Sequence, residues 1–213
     1  MSPVSAYGLS NLSQVHANLA TPLLVEAALA RREGQLTANG AFAALTGKYT
    51  GRSPKDKFLV LEPGSEDGIA WGPVNQPMTA DIFERLWDKA RTYLQGREIF
   101  VFDGFACADP AHRIAVRAIG ELAWHALFAS SLLIRPNAEE TTRFLPKVTI
   151  LAVPGLKMEP AQDGTRSEAC VALALERGQV LVAGTGYAGE IKKAIAAKRT
   201  EREEAVNASP QAC

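Results

Sequence analysis

Apolar residues recur along this chain at two different spacings, and the alternation between them sketches a mixed architecture. Residues 22–32 carry Leu23, Leu24, Ala27, Ala28 and Ala30 at roughly helical intervals, with Gly34 as a stop. A turn at Ala38-Asn39-Gly40 leads to an extended stretch over 41–45, a basic loop, and a strand over 57–61 that runs into Glu62-Pro63-Gly64. Residues 66–79 contain Gly68, Gly72, Pro73, Asn75 and Pro77, which rule out a long helix; 80–94 then regains helical spacing at Ile82, Leu86, Ala90 and Leu94. A short buried strand is predicted over 98–102. The pair Asp109-Pro110 is a good helix start, since Asp can cap and Pro suits the first helical position. Its helix is expected to run to about Ala129, with Val116, Ile119, Leu122, Ala123, Ala126 and Leu127 on one stripe and Arg117 paired to Glu121 at i, i+4. Another strand follows over 148–153. Residues 169–175 and 179–183, joined by Glu176-Arg177-Gly178, read as a hairpin, and a last helix begins near Ala188. Irregular alternation of this kind favours an α/β fold with a mixed sheet flanked by helices over a regular doubly wound one.

Composition narrows the class without naming a function. The chain has 213 residues, 47% of them hydrophobic, and its 23 basic side chains balance 23 acidic ones. That length suffices for one core, so a single domain over 1–197 is expected, followed by a polar, disordered tail over 198–213. Zero net charge removes the electrostatic case for nucleic acid or a membrane surface, so any anion binding must come from local placement of Arg and Lys. The opening residues have neither a basic nor an apolar leader segment, and no apolar run reaches membrane-spanning length; a cytoplasmic protein is expected. Cys107, Cys170 and Cys213 are odd in number and widely spaced, as expected of reduced structural thiols.

Two segments carry the chemistry. In TGRSPKDK (50–57), Gly51 permits close backbone approach, Arg52 offers a planar fork that matches a carboxylate or phosphate, Pro54 stiffens the loop, and Lys55 and Lys57 add positive field. In GTGYAGEIKK (184–193), Gly184, Gly186 and Gly189 spell GxGxxG between a strand and a helix. The second strand and acidic residue of a dinucleotide site do not follow within the chain, so that reading fails. Lys192 and Lys193 lie in the first turns of the helix, where a cation opposes the helix dipole by about a few tenths of a kcal/mol; a bound anion or metal-linked ligand would offset this. GxxxxGK[ST] is absent: Thr46-Gly47-Lys48-Tyr49 lacks both the spacing and the hydroxyl. His16, His112 and His125 form no cluster, HExxH and Ser/His/Asp signatures are missing, and the histidines read as structural or surface residues.

These segments resemble the N-terminal domain of ATP-dependent phosphoenolpyruvate carboxykinases. The likeness runs through LTANGAFAALTGKYTGRSPKDKFLV, WGPVNQP, VFDGFACADPAHRIAVRAIGELAWHALFA, DGTRSEA and GTGYAGEIKKAI, five motifs in order over most of 34–195. The resemblance implies an enzyme of gluconeogenesis converting oxaloacetate and ATP to phosphoenolpyruvate, carbon dioxide and ADP, with Mn²⁺ and with Mg²⁺ accompanying ATP. It implies that Arg52 holds the substrate carboxylate, that Tyr187 packs on the substrate with Gly189 leaving room, that Lys193 coordinates manganese, and that Lys192 supplies positive field. A lysine ligand must be neutral, so its surroundings would have to offset a reference pKa of about 10.4. Gly186 stands where the family usually has Ser or another polar residue, which implies a looser loop. Beyond about Ala196 the likeness ends, whereas the family continues into a histidine and an aspartate metal ligand and a P-loop. The expectation is therefore a truncated or frameshifted chain, inactive alone. The rival expectation is a non-catalytic carboxylate-binding remnant, or a split-enzyme subunit that needs a complementary C-terminal chain. A GTP-type carboxykinase is the weaker family alternative.

Overall fold

The computed structural model describes residues 4–65 and 68–197. The polar tail expected over 198–213, with Cys213, lies outside the described residues. Ten strands and several helices follow in chain order: β1 (Gln14–Ala17), α1 (Thr21–Ala30), β2 (Gly34–Leu36), β3 (Phe42–Ala44), β4 (Lys57–Val60), β5 (Gln76–Met78), α2 (Ala80–Leu94), β6 (Glu98–Ala106), β7 (Ile114–Gly120), α3 (Ala123–Leu132), α4 (Ala138–Thr142), β8 (Val148–Val153), α5 (Pro160–Asp163), β9 (Cys170–Ala174) and β10 (Gln179–Ala183). Residues 189–197 form a further helix, α6.

Eight strands make one mixed sheet in the order β1-β6-β7-β8-β10-β9-β4-β5, and β2 and β3 form a separate antiparallel pair. Strand alternation divides the core into two layers. Phe100 and Phe102 point to the face covered by α1, α3 and α6, where Leu24, Ala28, Ala126 and Ile191 pack. Their neighbours Ile99 and Val101 point to the other face, covered by α2 through Phe83, Leu86, Trp87, Ala90 and Leu94. Helix α2 occupies the residues that the spacing predicts, and Thr79 caps it by accepting a hydrogen bond from the Ile82 amide at 3.4 Å.

One expectation is overturned. Residues 110–129 are not a single helix: Asp109 and Pro110 start only a short 3₁₀ turn, Ile114–Gly120 is strand β7, and the helix begins at Ala123. The reason is burial on both faces. β7 lies between β6 and β8, so its apolar residues need not alternate with polar ones, and Val116 and Ile119 match a helical stripe while facing opposite sides of the sheet. Arg117 does not pair with Glu121. It sits opposite Asp103 in the β6–β7 register and grips that carboxylate with two hydrogen bonds, Nε to Oδ1 at 2.6 Å and Nη2 to Oδ2 at 2.8 Å. Elsewhere the differences are smaller. α1 ends at Ala30 with Arg32 in the left-handed region (φ 58°), before Gly34 enters β2, while β1, β2 and β5 occupy segments with no strand expectation.

Among the described residues, no helix is long and apolar enough to cross a membrane. Cys107 and Cys170 are free thiols, and burial pushes the Cys170 thiol up, away from thiolate chemistry.

Candidate anion site at one end of the sheet

Strand direction brings the two basic segments to the same end of the sheet. Lys57 at the start of β4 is level with Val171 of β9, which in turn faces Val182 near the end of β10. The loop entering β4 and the loop leaving β10 therefore emerge side by side, although the residues that join them, Ser53 and Glu190, are 137 apart in sequence. The parallel neighbours β8 and β7 end at the same level, since Ala183 pairs with Val153 and Ala152 with Gly120; this adds the 154–158 loop and the start of α3.

The contact that joins the segments is a hydrogen bond from the Ser53 amide to Glu190 Oε1 at 2.8 Å. Glu190 is only 5% exposed, although Lys192 and Lys193 two and three residues on are exposed. Arg52 is exposed beside Ser53. Further contacts secure its loop: Gln76 donates through Nε2 to the Lys55 carbonyl at 2.5 Å, and Arg166 Nε donates to the buried Asp56 carboxylate at 3.2 Å. Lys57 is half-buried and donates to Asn75 Oδ1 at 2.9 Å. Its ammonium is pushed below the usual lysine range, first by burial and then by the charge of Arg52, with Lys193 adding to the effect and Glu190 opposing it. These four groups share one field.

Tyr187 is partly buried, and its ring lies over Gly189 so closely that a methyl group at Gly189 would collide with it. The amide of Tyr187 is held by Thr185 Oγ1 at 3.2 Å. The looser loop expected at Gly186 is not what the structure has. Trp124 Nε1 and His125 Nε2 both donate to the Gly186 carbonyl, at 3.2 and 3.1 Å, and a side chain at Gly186 would press on the Thr46 backbone. Next to it, Lys157 donates to the Gly184 carbonyl at 2.9 Å. The start of α3 is fixed by buried Glu33, which accepts from the Ala123 and Trp124 amides at 3.2 and 2.7 Å.

Thus Arg52, Lys57 and Lys193 gather near Glu190, with Lys192 on the same helical turn and Tyr187 packed on Gly189 where α6 begins, while Lys55 is exposed on the loop. Glu190, Trp124, His125 and Asn75 were not singled out from the sequence as parts of this site. A signal existed for two of them. Glu190 belongs to the helical row of Ile191, Ala194 and Ile195, and His125 to that of Ala126 and Ala129; each is a polar residue at a core position. Burial holds His125 neutral with a pKa of about 4, and its Nδ1 has no hydrogen-bond partner. His16 instead stacks on Phe100 at 4.7 Å and bonds Glu98, and His112 is exposed near Asp109. Among the described residues no three His, Cys, Asp or Glu side chains converge as a metal site, so these residues do not fit a divalent ion unaided. A cavity of about 320 Å³ lined by Phe105, Arg143 and Phe144 opens at the opposite end of the sheet, away from the basic loops.

The sequence profile of the phosphoenolpyruvate carboxykinase family, ATP type, matches residues 13–200. The chain belongs to this family. It is 50% identical over 188 residues to a phosphoenolpyruvate carboxykinase (ATP) of Moorella thermoacetica, covering 88% of this chain and 36% of that protein. It is similarly 51% identical over 182 residues to the carboxykinase of Geobacillus thermodenitrificans, covering 85% and 34%, and 48% identical over 193 residues to that of Bacillus cytotoxicus. The chain spans about a third of the length of the curated carboxykinases it matches. The α/β fold with its mixed eight-stranded sheet agrees with the N-terminal domain of such a family member.

Proposed function

We propose that this chain is the substrate-side lobe of an ATP-dependent phosphoenolpyruvate carboxykinase and that it recognises a small dicarboxylate of the oxaloacetate or phosphoenolpyruvate type. The observation that carries this reading is the joining of the Arg52 loop to the first turn of α6 through Ser53 and Glu190, which brings Arg52, Lys57 and Lys193 into one field. In this reading the Arg52 guanidinium binds a substrate carboxylate through paired hydrogen bonds, and the Tyr187 ring, lying over Gly189, forms an apolar wall for the substrate. Lys192 supplies positive field near developing negative charge. Lys193 is also proposed as one ligand of a divalent ion, Mn²⁺, whose other ligands come from outside the described residues.

The 213 residues hold no GxxxxGK[ST], so ATP with its Mg²⁺ would be bound by a complementary segment of a carboxykinase rather than by this lobe. The polypeptide on its own is accordingly proposed to bind without turnover, in a cytoplasmic setting. A second reading is a carboxylate-binding remnant or a subunit that works with a partner chain.

Calorimetric titration of the purified chain with oxalate, with and without Mn²⁺, tests the proposal alongside an oxaloacetate-plus-ATP assay. Binding that disappears in Arg52→Ala without turnover is the expected result. Equal affinity in the variant, or no oxalate binding by a cooperatively folded chain, would overturn the substrate assignment. ATP-dependent turnover would overturn the need for a complementary segment.

A further inference from the structure

A carboxylate is an odd neighbour for a site built to attract anions, yet Glu190 lies at its centre. The residue is 5% exposed on the inward row of α6, where an apolar side chain would pack without desolvation cost. Its Oε1 accepts the Ser53 amide hydrogen at 2.8 Å across 137 residues of sequence. The 3₁₀ turn that follows, Pro54–Asp56, has no side-chain cap of its own: Ser53 is its cap residue, and its hydroxyl makes no capping hydrogen bond. The backbone at Ser53, and with it the point at which Arg52 leaves the loop, is therefore tied from outside to α6, beside the contacts that Gln76 and Arg166 make to Lys55 and Asp56.

We propose that Glu190 is a positioning residue that fastens the Arg52 loop to the helical turn bearing Lys193, so that guanidinium and ammonium address one anion together. Glu190 itself does not touch the ligand. The inference rests on the anion-binding reading given above.

Two nearly isosteric replacements separate positioning from charge. Glu190→Met keeps length and helix propensity and suits the apolar row, but it accepts no hydrogen bond; Glu190→Gln keeps an accepting oxygen and loses the charge. The full chain is labelled with ¹⁵N, exchange of the Ser53 amide and the oxalate-induced shift of Arg52 Nε are followed by NMR, and oxalate affinity is measured by calorimetry. In Glu190→Met the Ser53 amide should lose protection, the Arg52 signal should respond weakly to oxalate, and the Kd should rise about tenfold or more, the size of a lost charge-assisted hydrogen bond. Glu190→Gln should restore Ser53 protection and bind oxalate at least as tightly as the parent, since an anion gains from losing a nearby negative charge.

Equal weakening in both variants would overturn the inference, because charge rather than fastening would then matter. Parental affinity in Glu190→Met, with binding still lost in Arg52→Ala, would overturn it while sparing the functional reading. Absence of oxalate binding by the parent chain would sink both. A Ser53 amide exchanging freely in the parent would remove the fastening contact itself.

Discussion

Two groups of charges in this molecule are built on opposite plans. Asp103 and Arg117 face each other on adjacent central strands, 3% and 8% exposed, and a bidentate grip joins them. Arg52, Lys57 and Lys193 meet at the end of the same sheet with one buried carboxylate, Glu190, which accepts a hydrogen bond from a backbone amide. The first plan closes a charge on a charge and leaves nothing for a ligand. The second holds cations together by means of the backbone and leaves their charge for something else. Equal totals of acids and bases conceal this contrast, which lies in placement alone.

The comparison breaks most visibly at the closed pair. Asp103→Ala strands a buried guanidinium, and denaturant unfolding should show a loss of about 3–5 kcal/mol, while oxalate affinity per folded molecule stays unchanged. A variant that lost affinity and kept stability would reverse the roles assigned to the two groups.

His125 tests whether the support of the open group is itself dry. Its folded pKa of about 4 lies below the ordinary 6.5, so the unfolded chain takes up the proton first as pH falls. Stability from this residue is full above pH 6.5 and is lost progressively down to about pH 4, amounting to about 3 kcal/mol. Unfolding followed across that window should show the decline, and His125→Gln, which keeps a donor for the Gly186 carbonyl, should flatten it. An unchanged slope in the variant would place the proton elsewhere.

At the open group the effect should appear in binding alone. Arg52→Ala is expected to weaken oxalate about 10- to 100-fold and to leave the melting temperature nearly unchanged, because the side chain is exposed. Arg52→Lys should recover only part of the affinity, since an ammonium cannot present the guanidinium fork.

The smallest effect belongs to the surface. Lys48 bonds Glu168 at 3.0 Å next to the site, and each raises or lowers the other's proton affinity in the expected direction, but Lys48 is exposed and Glu168 partly so. Lys48→Ala should change neither stability nor oxalate affinity measurably, and a clear loss of binding would extend the open group beyond Arg52, Lys57 and Lys193.

Where the chain's own pattern is unambiguous, structure follows it. Helix α2 has a polar side to contrast with its apolar one, and the β9–β10 hairpin is marked by Glu176-Arg177-Gly178, with Gly178 at φ 62° in the turn. β7 was illegible because a strand buried on both faces shows no alternation, and the partner of Arg117 within it, Asp103, lies opposite on β6 rather than at helical spacing. The short strands β1, β2 and β5 take their form from pairing partners, not from any local preference of three or four residues.

The sequence by itself determined the family, the class of fold and the two basic segments, because these depend on motifs that are contiguous in the chain and on short-range periodicity. It could not determine that Glu190 fastens Ser53, that Trp124 and His125 hold Gly186, or that Lys57 shares a field with Arg52 and Lys193. Those relations exist only once β4 runs parallel to β9 and β9 antiparallel to β10, since strand direction and register alone bring the start of β4 and the end of β10 to one end of the sheet. Side-chain chemistry is local, whereas the field around an anion sums charges from segments that only tertiary structure makes neighbours.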